Sequence, residues 1–156
     1  MLVMAAVKLD AEESGRRIVV SIPDRKAALV EQHSVVRVYP VAVGAPGSPT
    51  PTGEFKIVTR IPHPTYYAPG VVLGPGKRNP LGTRWLGLNR KGYGIHGTNV
   101  PRSIGRRASH GCVRMRNRDV EELFAKVAEG DVVELHGERN ARVKEIFDGY
   151  DMMTAP

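Results

Sequence analysis

Short runs of apolar and β-branched residues, each bounded by turn residues, make up most of the chain. Runs of this length and composition are typical of β-strands. A longer segment at 61–83 is rich in Gly and Pro and has no periodic pattern. Because long irregular segments within a domain are usually functional, we expect this one to form a lid or the wall of a cleft. The pattern predicts strands at 17–22, 27–31, 35–43, 54–60, 84–88, 92–96, 131–135 and 141–147.

One segment follows the helical period instead. Its apolar residues recur three and four positions apart, at Val120, Leu123, Phe124 and Val127. This spacing places them on one face of a helix, for which Asn117 suits the N-cap and Gly130 is a natural stop. Many short strands, one clear helix after Cys112 and no alternation of strands with helices predict a mainly β fold, a sandwich or barrel of mostly antiparallel strands.

Length and composition fit one globular domain. The 156 residues are 41% hydrophobic and 25% charged, which is typical of a domain with its own core. We expect a flexible lead-in at 1–15, a single domain at 16–150 and a short tail at 151–156. No apolar run approaches the ~20 residues of a membrane-spanning helix. The first residues also lack the features of a signal peptide, which does not by itself place the protein in the cytoplasm.

The charge balance is basic, with a formal net charge of +7. Such a charge favours polyanionic partners, and on this ground nucleic acid, an anionic membrane surface and the anionic bacterial wall all stay open. Several arginines cluster near the candidate site, at Arg102, Arg106, Arg107, Arg114, Arg116 and Arg118. Only Tyr93 offers a nearby ring for base stacking, and no nucleic-acid motif is present, so we expect no nucleic-acid partner.

Candidate chemistry is concentrated between Gly94 and Asn117. This stretch contains the only cysteine, Cys112, and two of the five histidines, His96 and His110. A free thiol with a pKa of ~8.5 is only slightly ionised at neutral pH, so a nucleophilic cysteine needs a base. Gly111 permits a tight turn beside the thiol, where backbone N–H groups can stabilise an oxyanion. These residue types predict cysteine acyl transfer.

Two histidines are candidates for the base. His110 is close to Cys112 in sequence, whereas His96 ends a predicted strand and is followed by Gly97, whose carbonyl could orient the ring. Spacing favours His96 without excluding His110. A zinc site of His96, His110 and Cys112 would lack a fourth ligand at a familiar spacing, so we expect no metal. The other histidines, His33, His63 and His136, are isolated, and we expect surface or structural roles for them.

Two segments of this stretch together resemble the signature of a known family. They are His96-Gly97-Thr98 and, sixteen positions after His96, the cysteine of Ser109-His110-Gly111-Cys112-Val113-Arg114-Met115. This combination resembles the L,D-transpeptidase catalytic domain of the YkuD type, and the resemblance extends over about 17–135. It implies an L,D-transpeptidase-type β sandwich that acts on peptidoglycan stem peptides without a cofactor, and hence a location in the cell envelope or periplasm. Carbapenem β-lactams would be covalent inhibitors.

The resemblance also implies roles for individual residues. Cys112 would attack the carbonyl of the third stem residue and expel the terminal D-alanine, and an amine of another stem would resolve the thioester into a 3→3 cross-link. His96 would transfer the proton, the carbonyl of Gly97 would orient it, and the backbone N–H of Cys112 would belong to the oxyanion hole. His110 would line the site with Ser109 and Gly111.

Substrate contacts are expected from three further residues. Arg114 suits a stem-peptide carboxylate, which arginine can hold with two hydrogen bonds, although some members of the family have Asn at this position. Tyr66 and Trp85 are expected to wall the cleft, and a core position for Trp85 stays open. Water could also resolve the thioester, which would make the protein an L,D-carboxypeptidase, and the sequence does not separate transfer from hydrolysis.

Overall fold

The computed structural model describes residues 15–155 of the chain. The strands of its first half are β1 (Arg17–Ser21), β2 (Lys26–Glu31), β3 (Ser34–Gly44), β4 (Gly53–Pro62), β5 (Tyr66–Ala68) and β6 (Val71–Leu73). Those of its second half are β7 (Arg84–Leu88), β8 (Gly94–His96), β9 (Arg107–Ser109), β10 (Val113–Met115) and β11 (Val132–His136). The helices are α1 (Asn117–Lys126) and α2 (Ala141–Thr154), with one 3₁₀ turn at Pro101–Ser103. The mainly β fold expected from the sequence is therefore confirmed.

Nine of the strands form one sheet that folds back on itself. Its order is β10-β8-β7-β4-β11-β1-β2-β3-β9, and β10 pairs in addition with β3. The long strand β3 makes this closure possible, because its first part pairs with β2 and its last part with β10 and β9. Most pairs are antiparallel; β1–β11, β8–β10 and β3–β9 are parallel. The result is a barrel-like sandwich without a long open edge.

The main core fills the inside of this closed sheet. Among its fully buried side chains are Tyr39, Ile57, Leu86, Ile95 and Met115. The apolar face of α1 closes one end, since Val120, Leu123 and Val127 belong to the same cluster. This face is the one that the helical spacing of the sequence predicts.

A second, smaller core lies on the outer face of the sheet. Val19, Ala28 and Val30 point outward from β1 and β2 and pack against Phe147 and its neighbours in α2. The runs in β1 and β2 are apolar at successive positions because both faces of these strands are covered, one by the main core and one by α2.

The strand predicted at 141–147 is wrong, because this segment begins α2. Its buried residues, Val143, Ile146 and Phe147, are three and four positions apart and form one helical face. The side chain of Asn140 caps the helix, since its Oδ1 accepts from the backbone N–H of Val143 at 3.0 Å. α2 continues through Thr154, so residues 151–154 are helical. Residues 1–14 of the expected lead-in lie outside the described part of the chain.

The predicted caps of α1 also differ from the structure. Arg116 occupies the N-cap position and Asn117 is the first helical residue, with its side chain engaged elsewhere. The helix ends at Lys126, before Gly130, which lies in the following turn with φ +92°. Within residues 15–155, no helix has the length and apolar character needed to cross a membrane.

Candidate active site

Strand register places four of the site's side chains in one row. Ile61 on β4 pairs with Trp85 on β7, Trp85 with His96 on β8, and His96 with Arg114 on β10. Directly paired residues project from the same face of a sheet. Cys112 lies in the turn just before β10 and lines one cavity with Trp85, His96 and Arg114. Strands β8 and β10, with β7 beside them, therefore bring a thiol, an imidazole, an indole and a guanidinium to one surface.

This surface is the floor of a cavity of about 750 Å³. The opposite wall comes from the segment predicted as a cleft wall, in which β5 and β6 form a hairpin that pairs with no other strand of the described chain. The cavity is lined by Ile61, His63, Pro64, Thr65, Tyr66, Tyr67, Pro80, Leu81, Trp85, Gly92, His96, Ser109, His110, Cys112 and Arg114. A larger hollow of about 1260 Å³ lies beside α2, but its lining contains no thiol. It includes charged groups that already pair with one another, such as Glu134 and Arg142.

A tight turn presents the Cys112 thiol to the cavity. The hydroxyl of Ser109 donates to the carbonyl of Cys112 at 2.6 Å and accepts from the N–H of Gly111 at 3.1 Å. Gly111 has φ +124°, and a Cβ there would lie 2.7 Å from the ring of Tyr93, so the turn requires glycine. The Sγ of Cys112 donates to the carbonyl of Gly92 at 3.5 Å. Thus Ser109 and Gly111 fix the thiol from behind, and only Ser109 also lines the cavity.

The thiol is protonated at rest. Burial raises the pKa of Cys112, and the backbone of Gly94 and the charge of Arg114 offset this only in part. A protonated thiol is a weak nucleophile, so attack on a carbonyl needs a base at the moment of reaction.

His96 has the protonation state and the ring orientation that such a base requires. Its side chain is buried, and Nδ1 lies 2.5 Å from the carbonyl oxygen of Gly97. Because a carbonyl can only accept, Nδ1 carries the hydrogen and the neutral ring keeps a lone pair on Nε2. The Trp85 ring stacks on the imidazole, with 5.7 Å between centroids and 25° between planes.

The imidazole is neutral at physiological pH. Burial lowers the pKa of His96 to about 4, and the charge of Arg114 acts in the same direction, whereas the hydrogen bond to Gly97 opposes them. A neutral ring can accept a proton from the thiol. The pair therefore rests as thiol and imidazole and not as an ion pair.

His110 lies at the rim of the same cavity. Its side chain is exposed, and no hydrogen bond or ion pair joins it to another residue within 15–155. The structure thus brings both candidate bases to the cavity but buries and orients only His96. Of the remaining histidines, His136 bonds with Glu134, and His33 lies in an exposed turn. His63 is exposed and also lines the cavity, as part of the 61–83 segment.

Arg114 contributes a positive charge without a counter-ion. Its side chain is half-buried, and within the described residues it makes no ion pair or hydrogen bond. Other arginines nearby are exposed or paired, as Arg116 is with Asp119. Tyr66 and Trp85 both line the cavity, and Trp85 does so from a half-buried position. No group of three or more His, Cys, Asp or Glu side chains within residues 15–155 is arranged to hold a metal ion.

Asn117 lies directly behind the His96 loop. Its Oδ1 accepts from the backbone N–H of Thr98 at 3.1 Å and from that of Thr83 at 3.3 Å. A Cβ at Gly97 would lie 2.1 Å from this same oxygen. Glycine is therefore needed at position 97 because there is no space for a side chain, and not because of its backbone conformation. This contact was not predictable from the sequence, where Asn117 reads as a helix cap.

Comparison with known proteins gives concordant matches. A family model described as the YkuD L,D-transpeptidase catalytic domain matches residues 15–135. A protein of Bacillus licheniformis named as a putative L,D-transpeptidase is 44% identical over 119 residues, covering 76% of this chain and 64% of the relative. The chain thus spans slightly less than two thirds of the length of this relative.

Solved structures share the fold. An L,D-transpeptidase from Mycobacterium smegmatis superposes with a TM-score of 0.67 at 21% identity, covering 79% of this chain and 59% of that one. L,D-transpeptidase 3 from Mycobacterium tuberculosis, in complex with a faropenem-derived adduct, superposes with a TM-score of 0.64 at 21% identity, covering 80% and 60%. At this low sequence identity, the similarity to these two structures shows a shared fold and nothing more.

Proposed function

We propose, on the premise that this chain belongs to the YkuD family of L,D-transpeptidase catalytic domains, that it transfers an acyl group from a peptidoglycan stem tetrapeptide through a thioester on Cys112. One observation carries the proposal: a protonated thiol, an oriented neutral imidazole and a guanidinium that is unpaired within residues 15–155 line one cavity. Cysteine acyl transfer requires a nucleophile, a base and a means of holding the donor.

The first half-reaction forms the thioester. As the carbonyl carbon of the third stem residue approaches Sγ, Nε2 of His96 takes the thiol proton and the C–S bond forms. The N–H of Cys112 stabilises the oxyanion; that of Gly111 is already bonded to Ser109. When the intermediate collapses, the C–N bond breaks and His96 returns the proton to the amine of the departing D-alanine.

The second half-reaction releases the acyl group. An amine of a neighbouring stem peptide attacks the thioester carbonyl and His96 accepts a proton from that amine. The C–S bond then breaks, and the proton returns to the sulfur, which restores the resting thiol. The product is an amide between two third residues, a 3→3 cross-link.

Arg114 is proposed to hold the donor. Stem peptides carry free carboxylates, and the Arg114 guanidinium is half-buried with no counter-ion among the described residues. Such a group binds a carboxylate more strongly than an exposed one does. Tyr66 from the hairpin and Trp85 from the floor provide apolar walls for the peptide. His110 at the rim is placed to contact the incoming stem.

β-Lactams of the penem and carbapenem classes are proposed as covalent inhibitors. The Mycobacterium tuberculosis structure contains a faropenem-derived adduct, and the same thiol chemistry would open a strained lactam ring to give a thioester on Cys112. Because the proposed substrate lies in the bacterial wall, we propose that the protein acts in the cell envelope.

Purified protein incubated with disaccharide-tetrapeptide and analysed by mass spectrometry tests this function. A dimer joined 3→3, with loss of one D-alanine, is expected from the wild type and not from Cys112→Ala. Tripeptide alone would indicate hydrolysis, and the protein would then be an L,D-carboxypeptidase with the same first half-reaction. An unchanged substrate would contradict both activities.

A further inference from the structure

The peptide group between Gly97 and Thr98 is hydrogen-bonded at both ends. Its carbonyl oxygen accepts from Nδ1 of His96 at 2.5 Å. Its N–H, which belongs to Thr98, donates to Oδ1 of Asn117 at 3.1 Å. The imidazole and the Asn117 amide are therefore joined through a single planar unit, in which a rotation at one end moves the other.

Strand pairing explains how Asn117 reaches this peptide group. Strands β8 and β10 are parallel neighbours, so both leave the sheet at the same end. The residues after β8 form the His96 loop, and those after β10 begin α1 with Asn117. The loop that carries the base and the start of the helix therefore lie side by side, although they are distant in sequence.

Packing around the Asn117 oxygen leaves no freedom for its position. A Cβ at Gly82 or at Gly97 would lie 2.1 Å from Oδ1, so both loops approach it as closely as glycine allows. Thr83 supplies a second N–H to the same oxygen at 3.3 Å. Thr98 is buried, and the N–H of Gly97 donates to the carbonyl of Arg84 at 3.2 Å. The amide oxygen thus holds two loops in a crowded contact behind the cavity.

We propose that Asn117 is a positioning residue for His96: its side-chain oxygen holds the Gly97–Thr98 peptide, and that peptide holds the imidazole with Nδ1 protonated and Nε2 free. This inference rests on the role of His96 as the base in the proposed function. Linked hydrogen bonds polarise one another, so the bond from Asn117 also makes the Gly97 carbonyl a stronger acceptor.

A neutral amide at this point suits the charge state of the site. A carboxylate behind the histidine would favour the imidazolium through its negative charge. An amide oxygen orients the peptide without adding charge, which leaves the burial of His96 and the charge of Arg114 to keep the ring neutral. In many enzymes an acidic side chain orients the histidine that acts as the base. In this chain an asparagine does so, and it acts through one peptide group.

Ring ¹⁵N spectra of His96, assigned with His96→Gln, test this role at neutral pH. The wild type is expected to show the single Nδ1–H tautomer. In Asn117→Ala the signals should move toward the average of two tautomers, and acylation of Cys112 by faropenem should slow about tenfold, because part of the general-base contribution is lost. Asn117→Asp should keep the Nδ1–H tautomer and raise the pH at which the ring protonates.

Asn89→Ala is the matched control. Asn89 also accepts a backbone N–H, that of Lys56 at 3.0 Å, but it lies outside the cavity. The proposal is overturned if Asn117→Ala has wild-type ring signals and a wild-type acylation rate, or if Asn89→Ala changes them equally. Should Asn117→Ala fail to fold, an unchanged protonation midpoint in Asn117→Asp overturns it. If the wild type is not acylated at all, the proposed function fails, while the ring spectra still decide the role of Asn117.

Discussion

At the scale of single residues, Cys112 and His96 share a cavity in which both side chains are uncharged at neutral pH. Burial raises the pKa of the thiol and lowers that of the imidazole. Arg114 lowers both values, so it favours the thiolate while disfavouring the imidazolium. In the proposed mechanism, proton transfer would therefore await the arrival of the acyl donor, and the resting thiol would be protected from unselective reaction.

Alkylation by iodoacetamide, an uncharged probe, measures the effect of Arg114 on the thiol. We expect an apparent pKa for Cys112 above the ~8.5 of a free cysteine, and a still higher value in Arg114→Met because a stabilising charge is lost. Arg118→Met is the control, since Arg118 is exposed and does not line the cavity. A pKa below that of free cysteine, or an equal shift in both variants, would contradict this account.

Replacement of Gly97 by alanine tests the contact with Asn117. A Cβ at 97 would overlap Oδ1 of Asn117, so we expect a loss of about 1–3 kcal/mol in the free energy of unfolding, measured in urea. The loss should shrink in Asn117→Ala, where the obstructing oxygen is gone, so the two substitutions are not additive. Gly47→Ala is the control because no atom lies within 4 Å of its would-be Cβ. Additive effects at 97 and 117 would refute the contact.

At the scale of elements, the longer strands and α1 were predictable, whereas most three-residue strands and α2 were not. Strands β1 to β4 have five residues or more each, and the sequence pattern predicts all of them. Strands β5, β6, β9 and β10 have three residues each, too few for a periodic pattern to emerge. The start of α2 was misread because its β-branched residues suggested a strand, although Val143, Ile146 and Phe147 are spaced as on a helix.

The sequence motif of the site was predictable, but the spatial arrangement of the residues around it was not. The combination of His96, Gly97 and Cys112 is local in sequence and specific to one family. The row of Ile61, Trp85, His96 and Arg114 depends on the register of four strands, which the sequence does not encode locally. The contact of Asn117 with Thr98 likewise arises only when β8 and β10 pair.

The buried side chain of Asn79 anchors the β5–β6 hairpin. Nδ2 of Asn79 donates to the carbonyls of Pro64, Leu73 and Gly74, which lie at the base of the hairpin. Its Oδ1 accepts from the N–H of Leu81 at 2.8 Å. Asn79 thus ties together both ends of the hairpin that carries Tyr66.

Asn79→Ala should loosen this wall without disturbing the thiol. Loss of its hydrogen bonds, worth about 1 kcal/mol or more, should speed amide exchange in 66–73 about tenfold. For donor acylation, we expect KM to rise more than kcat falls, because the wall contacts substrate and not the reacting atoms. Asn89→Ala should leave both measurements unchanged. Wild-type exchange in the hairpin of Asn79→Ala would show that the anchor is elsewhere.

At the scale of the whole molecule, stability depends on groups that must stay in one protonation state. Hydrogen bonds from Arg37 and Tyr39 lower the pKa of Glu122 to about 2. Burial alone would raise the pKa of Glu134, but hydrogen bonds from Arg142 and His136 lower it overall. His96 is buried in its neutral form, which also depresses its pKa. All three groups therefore stabilise the fold at neutral pH and lose this effect in acid.

His96 affects the free energy of unfolding over a defined range of pH. Unfolded histidine protonates near pH ~6.5, and folded His96 near pH 4. Between these values only the unfolded chain gains the proton, so the free energy of unfolding should fall by roughly 3 kcal/mol as pH decreases. Urea unfolding from pH 7 to 4 should show this loss in the wild type and in His33→Gln, but much less in His96→Gln. An equal loss in His96→Gln would assign the acid sensitivity to other groups.

In the proposed reaction, Cys112 becomes acylated and His96 is its base. Intact-mass spectrometry after incubation with faropenem, followed by peptide mapping, is the direct test of this claim. The wild type should gain one adduct on the peptide that contains Cys112, Cys112→Ala should gain none, and His96→Gln should react at least about a hundredfold more slowly. His33→Gln should react like the wild type. An adduct that persists in Cys112→Ala, or an unimpaired rate in His96→Gln, would contradict the claim.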